Sequence, residues 1–144
     1  MVSFILGLSK AEHVLVTVNN YERSISGEYY DDNWVSTDIS VSAGAFSGHF
    51  NAAFLTEDFV QFNVKLQSLF EVLKGEAVFS TMEEQLSLKV FGNSRGSIEV
   101  EGVALDQVGI GNKLQFRFKL DQTYLSETIK GLNEVIAAFP VRGE

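Results

Sequence analysis

Asp38 and His49 are the residues whose types first suggest chemistry. On adjacent strands a carboxylate and an imidazole could pass a proton or hold a metal ion. Both fall in alternating stretches that read as sheet faces, where such pairs are usually incidental. A zinc site needs further converging ligands. The chain offers only two histidines, His13 and His49, and no cysteine. Without cysteine there is no thiolate nucleophile, thiolate metal site or disulfide, which suits a reducing compartment. "GAFSG" resembles a nucleophile elbow only loosely, because Ser47 is not centred between glycines and lies in a strand pattern. "VGIGNK" has no following Lys-Ser/Thr pair and opens no helix, so it reads as a hairpin turn rather than a phosphate loop. Asp31, Asp32 and Asn33 lack the alternating ligands, turn glycine and terminal Glu of a calcium loop. The sequence therefore predicts no catalytic residue, no metal site and no cofactor.

The segment "YYDDNW" points to binding instead. Tyr29, Tyr30 and Trp34 supply ring area, and Asp31 and Asp32 would select Arg or Lys on a basic protein. If strand alternation reaches Trp34, its ring shares the polar side of Ser36, Asp38 and Ser40, which adds Asp38 to the candidate surface. The competing reading tucks Trp34 under a neighbouring loop or strand as an edge of the core, since tryptophan is highly buried on average.

Charge supports a basic partner. The net charge is −8. Residues 1–72 hold Lys10, Arg23 and Lys65 against nine carboxylates, while residues 73–144 are nearly balanced. Nucleic acid and anionic membranes are poor partners for such a chain, because phosphate binding needs clustered Lys and Arg. An acidic face can instead speed association with a basic protein. The opening "MVSFILGLSK" has no basic residue ahead of its apolar run, and the run is too short for a membrane span. It reads as a first strand, and the expectation is a cytoplasmic protein.

Alternation with period two dominates the elements that must hold these residues. Val14, Val16 and Val18 share one side of the second strand. Val35, Thr37, Ile39 and Val41 share one side of the third, and Phe46, Phe50 and Phe54 one side of the fourth. The period then becomes helical, with Phe59, Phe62, Leu66, Leu69, Phe70 and Leu73 on one stripe, Thr56 as cap and Gly75 as left-handed terminator. Four more strands follow, joined by Glu83-Glu84, "GNSRG" and "DQVGIGN". Glu99 and Glu101 are expected to face Arg117 and Lys119 across two of them, with Lys89 nearby. A second amphipathic helix spans about residues 123–139, with Thr123 or Asp121 as cap, and Pro140 closes it. The fold class is α+β: one domain over residues 1–144, about eight antiparallel strands, and two helices packed on one face, in the order ββββα-ββββα. The helical stripes superpose at a shift of 66 residues, which raises the idea of a duplication of residues 1–75 and 76–144.

Several blocks carry a resemblance to a known family. They are "DDNWVSTDISVSAGAFSGHF", "GEAVFSTMEEQLSLKVFGNSRGSIEVEG", "LQFRFKLDQTYL" and "FPVRG". From Asp31 to Gly143 the chain resembles the WapI-type immunity proteins, small bacterial proteins. The resemblance implies a non-enzymatic inhibitor of a secreted toxin domain, in this case a nuclease acting on tRNA, whose basic surface an acidic binder would suit. It assigns no contact residue. Two other classes stay open: a small-molecule-binding or structural α+β domain with a pocket between helices and sheet, and a hydrolase using Asp38 and His49.

Overall fold

The computed structural model describes residues 1–93 and 96–143, the side chain of Leu8 excepted. Ser94 and Arg95 of the expected "GNSRG" turn lie outside the described residues. The eight expected antiparallel strands form two four-stranded sheets. The first joins β1 (Val2–Ser9), β2 (Glu12–Tyr21), β3 (Trp34–Ala43) and β4 (Phe46–Leu55) in chain order. The second repeats that order with β5 (Glu76–Phe79), β6 (Leu86–Gly92), β7 (Ser97–Gln107) and β8 (Ile110–Asp121). A helical turn, α1 (Tyr29–Asp32), precedes β3. Helix α2 (Thr56–Val72) links the sheets, and α3 (Leu125–Ala138) follows β8 through a single 3-10 turn.

Alternation decides which side of each strand is buried. Phe4 and Leu6, Val14, Val16 and Val18, Val35, Ile39 and Val41, and Phe54 are all buried toward the helices and the other sheet. The same holds for Phe79, Leu88, Val90, Ile98, Val100 and Phe118 in the second half. The sheets meet where β4 lies against β7 and β3 against β8. Away from that seam the helices fill the gap: α2 packs on β5, α3 on β1, and the two on each other. Each helix therefore closes the sheet of the other half. Five phenylalanines, Phe4, Phe54, Phe59, Phe62 and Phe79, interlock at this junction, with ring centroids 5.2–6.2 Å apart. Gly131 lets α3 sit directly on β1, because a Cβ there would come within 2.6 Å of Ser3 O.

The cross-strand charges fall in the expected register, Glu99 opposite Lys119 and Glu101 opposite Arg117. Arg117 reaches Glu99 at 3.3 Å, and Lys89 pairs with Glu76 at 3.4 Å. Three helix details differ from expectation. Thr56 does not cap α2: the helix starts at Thr56, whose hydroxyl is drawn 2.8 Å to Asn33 Oδ1, while Asp58 accepts from Leu55 N–H at 2.9 Å. The left-handed cap is Leu73 (φ 57°), two residues before Gly75, because the helix ends at Val72. Phe70 is exposed, since the packing stripe runs through Phe59, Phe62, Leu66 and Leu69. At α3, Asp121 is the residue that accepts from Thr123 N–H, at 2.9 Å, and this bond holds its carboxyl below the usual range.

Candidate partner-binding site

Between β2 and β3 the chain makes a polar excursion whose shape is set by one carboxylate. Asp32 accepts from Ser26 Oγ and Ser26 N–H, each at 2.7 Å, and from Gly27 N–H at 2.9 Å. Those bonds, the Ser26 hydroxyl foremost, hold the Asp32 carboxyl below its ordinary range against the opposing effect of burial. The loop is thereby folded back on α1, and Asp32 is 1% exposed. Its carboxylate is committed inside the protein and does not stand on the surface with its neighbours.

A second network anchors the loop to distant parts of the chain. Buried Asn33 donates to Tyr29 O at 2.7 Å and to Arg142 O at 2.9 Å. Its Oδ1 accepts from Arg142 N–H and from Thr56 Oγ1, each at 2.8 Å. The Arg142 guanidinium donates to Asp32 O, with Nε at 2.9 Å and Nη2 at 2.6 Å, and to Arg23 O at 2.9 Å. It also stacks 3.6 Å from the Tyr21 ring centre, and the Tyr21 hydroxyl donates to Pro140 O at 2.5 Å. Burial raises the Tyr21 phenol pKa, and the Arg142 charge opposes it. The segment after α3 thus straps the loop from outside.

What this bracing presents is an aromatic and acidic ridge. The Tyr29 and Tyr30 rings meet edge to face at 5.4 Å, and Tyr30 is 60% exposed. Ile25, four residues ahead of Tyr29, is also exposed. Asp31 is half-buried and lies 3.8 Å from Arg23. Trp34 is half-buried at the start of β3, opposite Leu55. Tyr29, Tyr30, Asp31 and Trp34 lie within six residues of the chain, whereas Asp38 stands four residues beyond Trp34 along β3, about 13 Å on. Asp38 accepts from the side-chain amides of Asn51, its cross-strand partner, and of Asn19. His49 faces Ser40 instead, so the carboxylate is held by amides rather than by the imidazole.

Arg142, Ser26 and Tyr21 organise this site and were not singled out by sequence, and Asn33 was weighed there only as a calcium ligand. The one available signal was the lone Arg two residues beyond the only proline. A concavity of about 590 Å³ lies on the outer face of the second sheet, over Val78, Ser87 and Val103 with Lys89 and Arg117 at its rim. Among the described residues no three His, Asp or Glu side chains converge as a metal site would, and no helix is long and apolar enough to cross a membrane.

No curated protein matches the chain. Among solved structures it is similar to the Trypanosoma bruciei MRP1/MRP2 crystal structure, at 10% identity over 94% of this chain and 84% of that one, with a TM-score of 0.49. The model of the immunity protein WapI-like family matches residues 5–140, nearly the whole length, and the chain belongs to that family.

Proposed function

We propose that the protein is a cytoplasmic immunity protein that neutralises a basic nuclease toxin domain by binding it through the braced ridge at Tyr29, Tyr30, Asp31 and Trp34. Family membership supports a toxin partner. One observation carries the choice of surface: exposed tyrosines and an acidic residue sit on a loop held by two polar networks. A ridge fixed before binding loses little entropy on docking, so its ring area converts efficiently into affinity. Asp32 acts from beneath by shaping the loop, and Asp38 adds to the acidic field along β3. The excess of carboxylates in residues 1–72 steers a basic partner toward this half of the chain. The chain is read as a single domain, with two ββββα halves that descend from one duplicated unit.

The test is calorimetric titration against the C-terminal domain of any large secreted protein encoded beside this gene, at low and high salt. The expected result is one-to-one binding in the nanomolar range that weakens as salt rises. Tyr30→Ala should weaken it by about ten- to thirtyfold, in the range of an anchor residue. Asp31→Lys should chiefly slow association. Full affinity in both variants would remove the ridge from the interface.

A further inference from the structure

An open sheet edge carries unpaired backbone groups and invites another strand. The two sheets have four edges. On β1, α3 covers the edge, with Thr128 Oγ1 donating to Ile5 O at 2.6 Å. On β5, α2 does the same. The β8 edge is guarded by Lys113, Arg117 and Lys119, the usual protection against stray pairing. The β4 edge has no such guard: from Gly44 to Leu55 there is no Lys, Arg, Asp or Glu.

The direction of the β4 backbone follows from its neighbours. Glu22 N–H donates to Trp34 O, so the Trp34 backbone groups face β2. Its partner Leu55 must then face outward, and Leu55 N–H does donate outward to Asp58. The β3–β4 register has no bulge, so Ser47, His49, Asn51 and Ala53 also point their N–H and C=O away from the sheet. Asn51 O is taken by Gln85 Nε2 at 3.2 Å. The open length is Phe46–Phe50.

That length has a phenylalanine at each end and is nearly palindromic: Phe-Ser-Gly-His-Phe. The Phe54, Phe50, Phe46 stripe runs from buried through half-buried to 67% exposed as it leaves the core. Phe46 and Phe50 also line a cleft of about 310 Å³ against Asn112 and Leu114 of β8. The adjacent β7–β8 tip exposes Val108 and Ile110.

We propose that this edge pairs with a second copy of the chain, antiparallel about Gly48. In that register Phe46 lies opposite Phe50 of the second copy on one face, and Ser47 opposite His49 on the other. Ser47 and His49 point their backbone groups outward, so both of their pairs close with two backbone hydrogen bonds each. Gly48 meets Gly48 at the twofold axis, where a Cβ would encounter nothing within 4 Å of its own chain. Charge selects the occupant. Copies with a net charge of −8 repel each other over most of their surface. In the cleft beside this edge the charged groups are Lys113 and Asp106, the Asp106 carboxylate is bound to Asn112 N–H at 2.8 Å, and the nearest carboxylate across the sheet is Glu12, two strands away opposite Ala43. A basic toxin is drawn to the acidic ridge at the other end of β3, about 30 Å away. Pairing at β4 thus leaves the ridge free, and only the choice of a second copy over the toxin rests on the toxin reading.

The chain has no cysteine, so Gly48→Cys introduces a unique thiol. Across a non-hydrogen-bonded pair the two sulfurs come within disulfide reach. Under mild oxidation Gly48→Cys should form a covalent dimer about tenfold or more faster than Ala45→Cys, which is on the same hairpin but off the axis. Ultracentrifugation of the wild type should show a concentration-dependent shift from 15.9 kDa toward twice that mass. His49→Pro removes an outward N–H that the monomer does not use, and Phe46→Glu adds a charge at the seam. Both should stay monomeric, with thermal unfolding unchanged from that of the wild type at concentrations where the wild type is itself monomeric. A wild type that is monomeric up to about 1 mM, a weak-contact limit, with equal oxidation of the two cysteine variants, overturns the proposal. So does a dimer that survives both His49→Pro and Phe46→Glu. A monomeric wild type whose Phe46→Glu variant loses toxin binding reassigns the edge to the toxin and also overturns self-pairing.

Discussion

Asn33 links three segments that are distant in sequence: the α1 turn, the start of α2 and the strap around Arg142. It is buried, and its amide meets partners on both sides. Asn33→Ala leaves Thr56 Oγ1 and the Arg142 backbone short of partners in a place water reaches poorly. The expected loss is about 2–4 kcal/mol in urea unfolding. Asp32 gives a pH signature. Its folded pKa lies below the unfolded value, so its stabilising contribution is present above about pH 4 and is lost as pH falls through the folded pKa. Ser26→Ala removes the leading cause of that depression, and acid unfolding followed by tryptophan fluorescence should start at higher pH. The tyrosines and Asp31 were legible as surface because rings beside carboxylates in a polar stretch stay accessible. Asp32 was not, because nothing local distinguishes a carboxylate that faces inward from one that faces water. Its direction depends on Ser26 and Gly27, and on a strap more than a hundred residues later.

At the scale of elements, Gly131 and Asp58 control how the helices seat. Gly131→Ala improves helix propensity by up to about 1 kcal/mol. It also drives a Cβ into the β1 backbone, which cannot yield as a side chain would. The overpacking term of about 1–3 kcal/mol should win, giving net destabilisation in thermal unfolding. Asp58 runs opposite to Asp32. Burial, with Glu57 adding to it, pushes its pKa to about 6 despite the bond from Leu55 N–H. The folded state therefore holds a proton that the unfolded state has lost between about pH 4 and pH 6. Through that window the group's contribution to stability falls as pH rises, and Asp58→Asn should flatten the slope. Strands were readable because most burial choices repeat with period two, β4 excepted, where Phe46 is exposed and Leu55 is buried beside Phe54, and the Glu99–Lys119 and Glu101–Arg117 pairs fixed the register. Helix ends were less readable. Thr56 has the chemistry of a cap, but its hydroxyl is claimed by Asn33, and a left-handed Leu73 does not announce itself in a sequence.

For the molecule as a whole, the crossing of the helices makes the two halves interdependent. Helix α2 closes the second sheet and α3 the first. Fragments 1–75 and 76–144 should each lack stable structure alone, yet recover a folded circular dichroism spectrum when mixed. Folding of either fragment by itself would show that each sheet can find its cover within its own half. The order of elements was legible from the sequence. The exchange of helices between sheets was not, because a stripe of Phe and Leu names a buried face without naming what buries it.

The strap has a consequence in time. Arg142 lies 119 residues after the Arg23 carbonyl it holds. At ribosomal speeds that separation is roughly 6 to 24 seconds of synthesis. During that interval the Tyr29–Tyr30 ridge has emerged from the ribosome but is not yet held. A nascent chain therefore carries the rings and the carboxylates without their arrangement, and the ridge takes its final shape only when Arg142 arrives and closes over Tyr21.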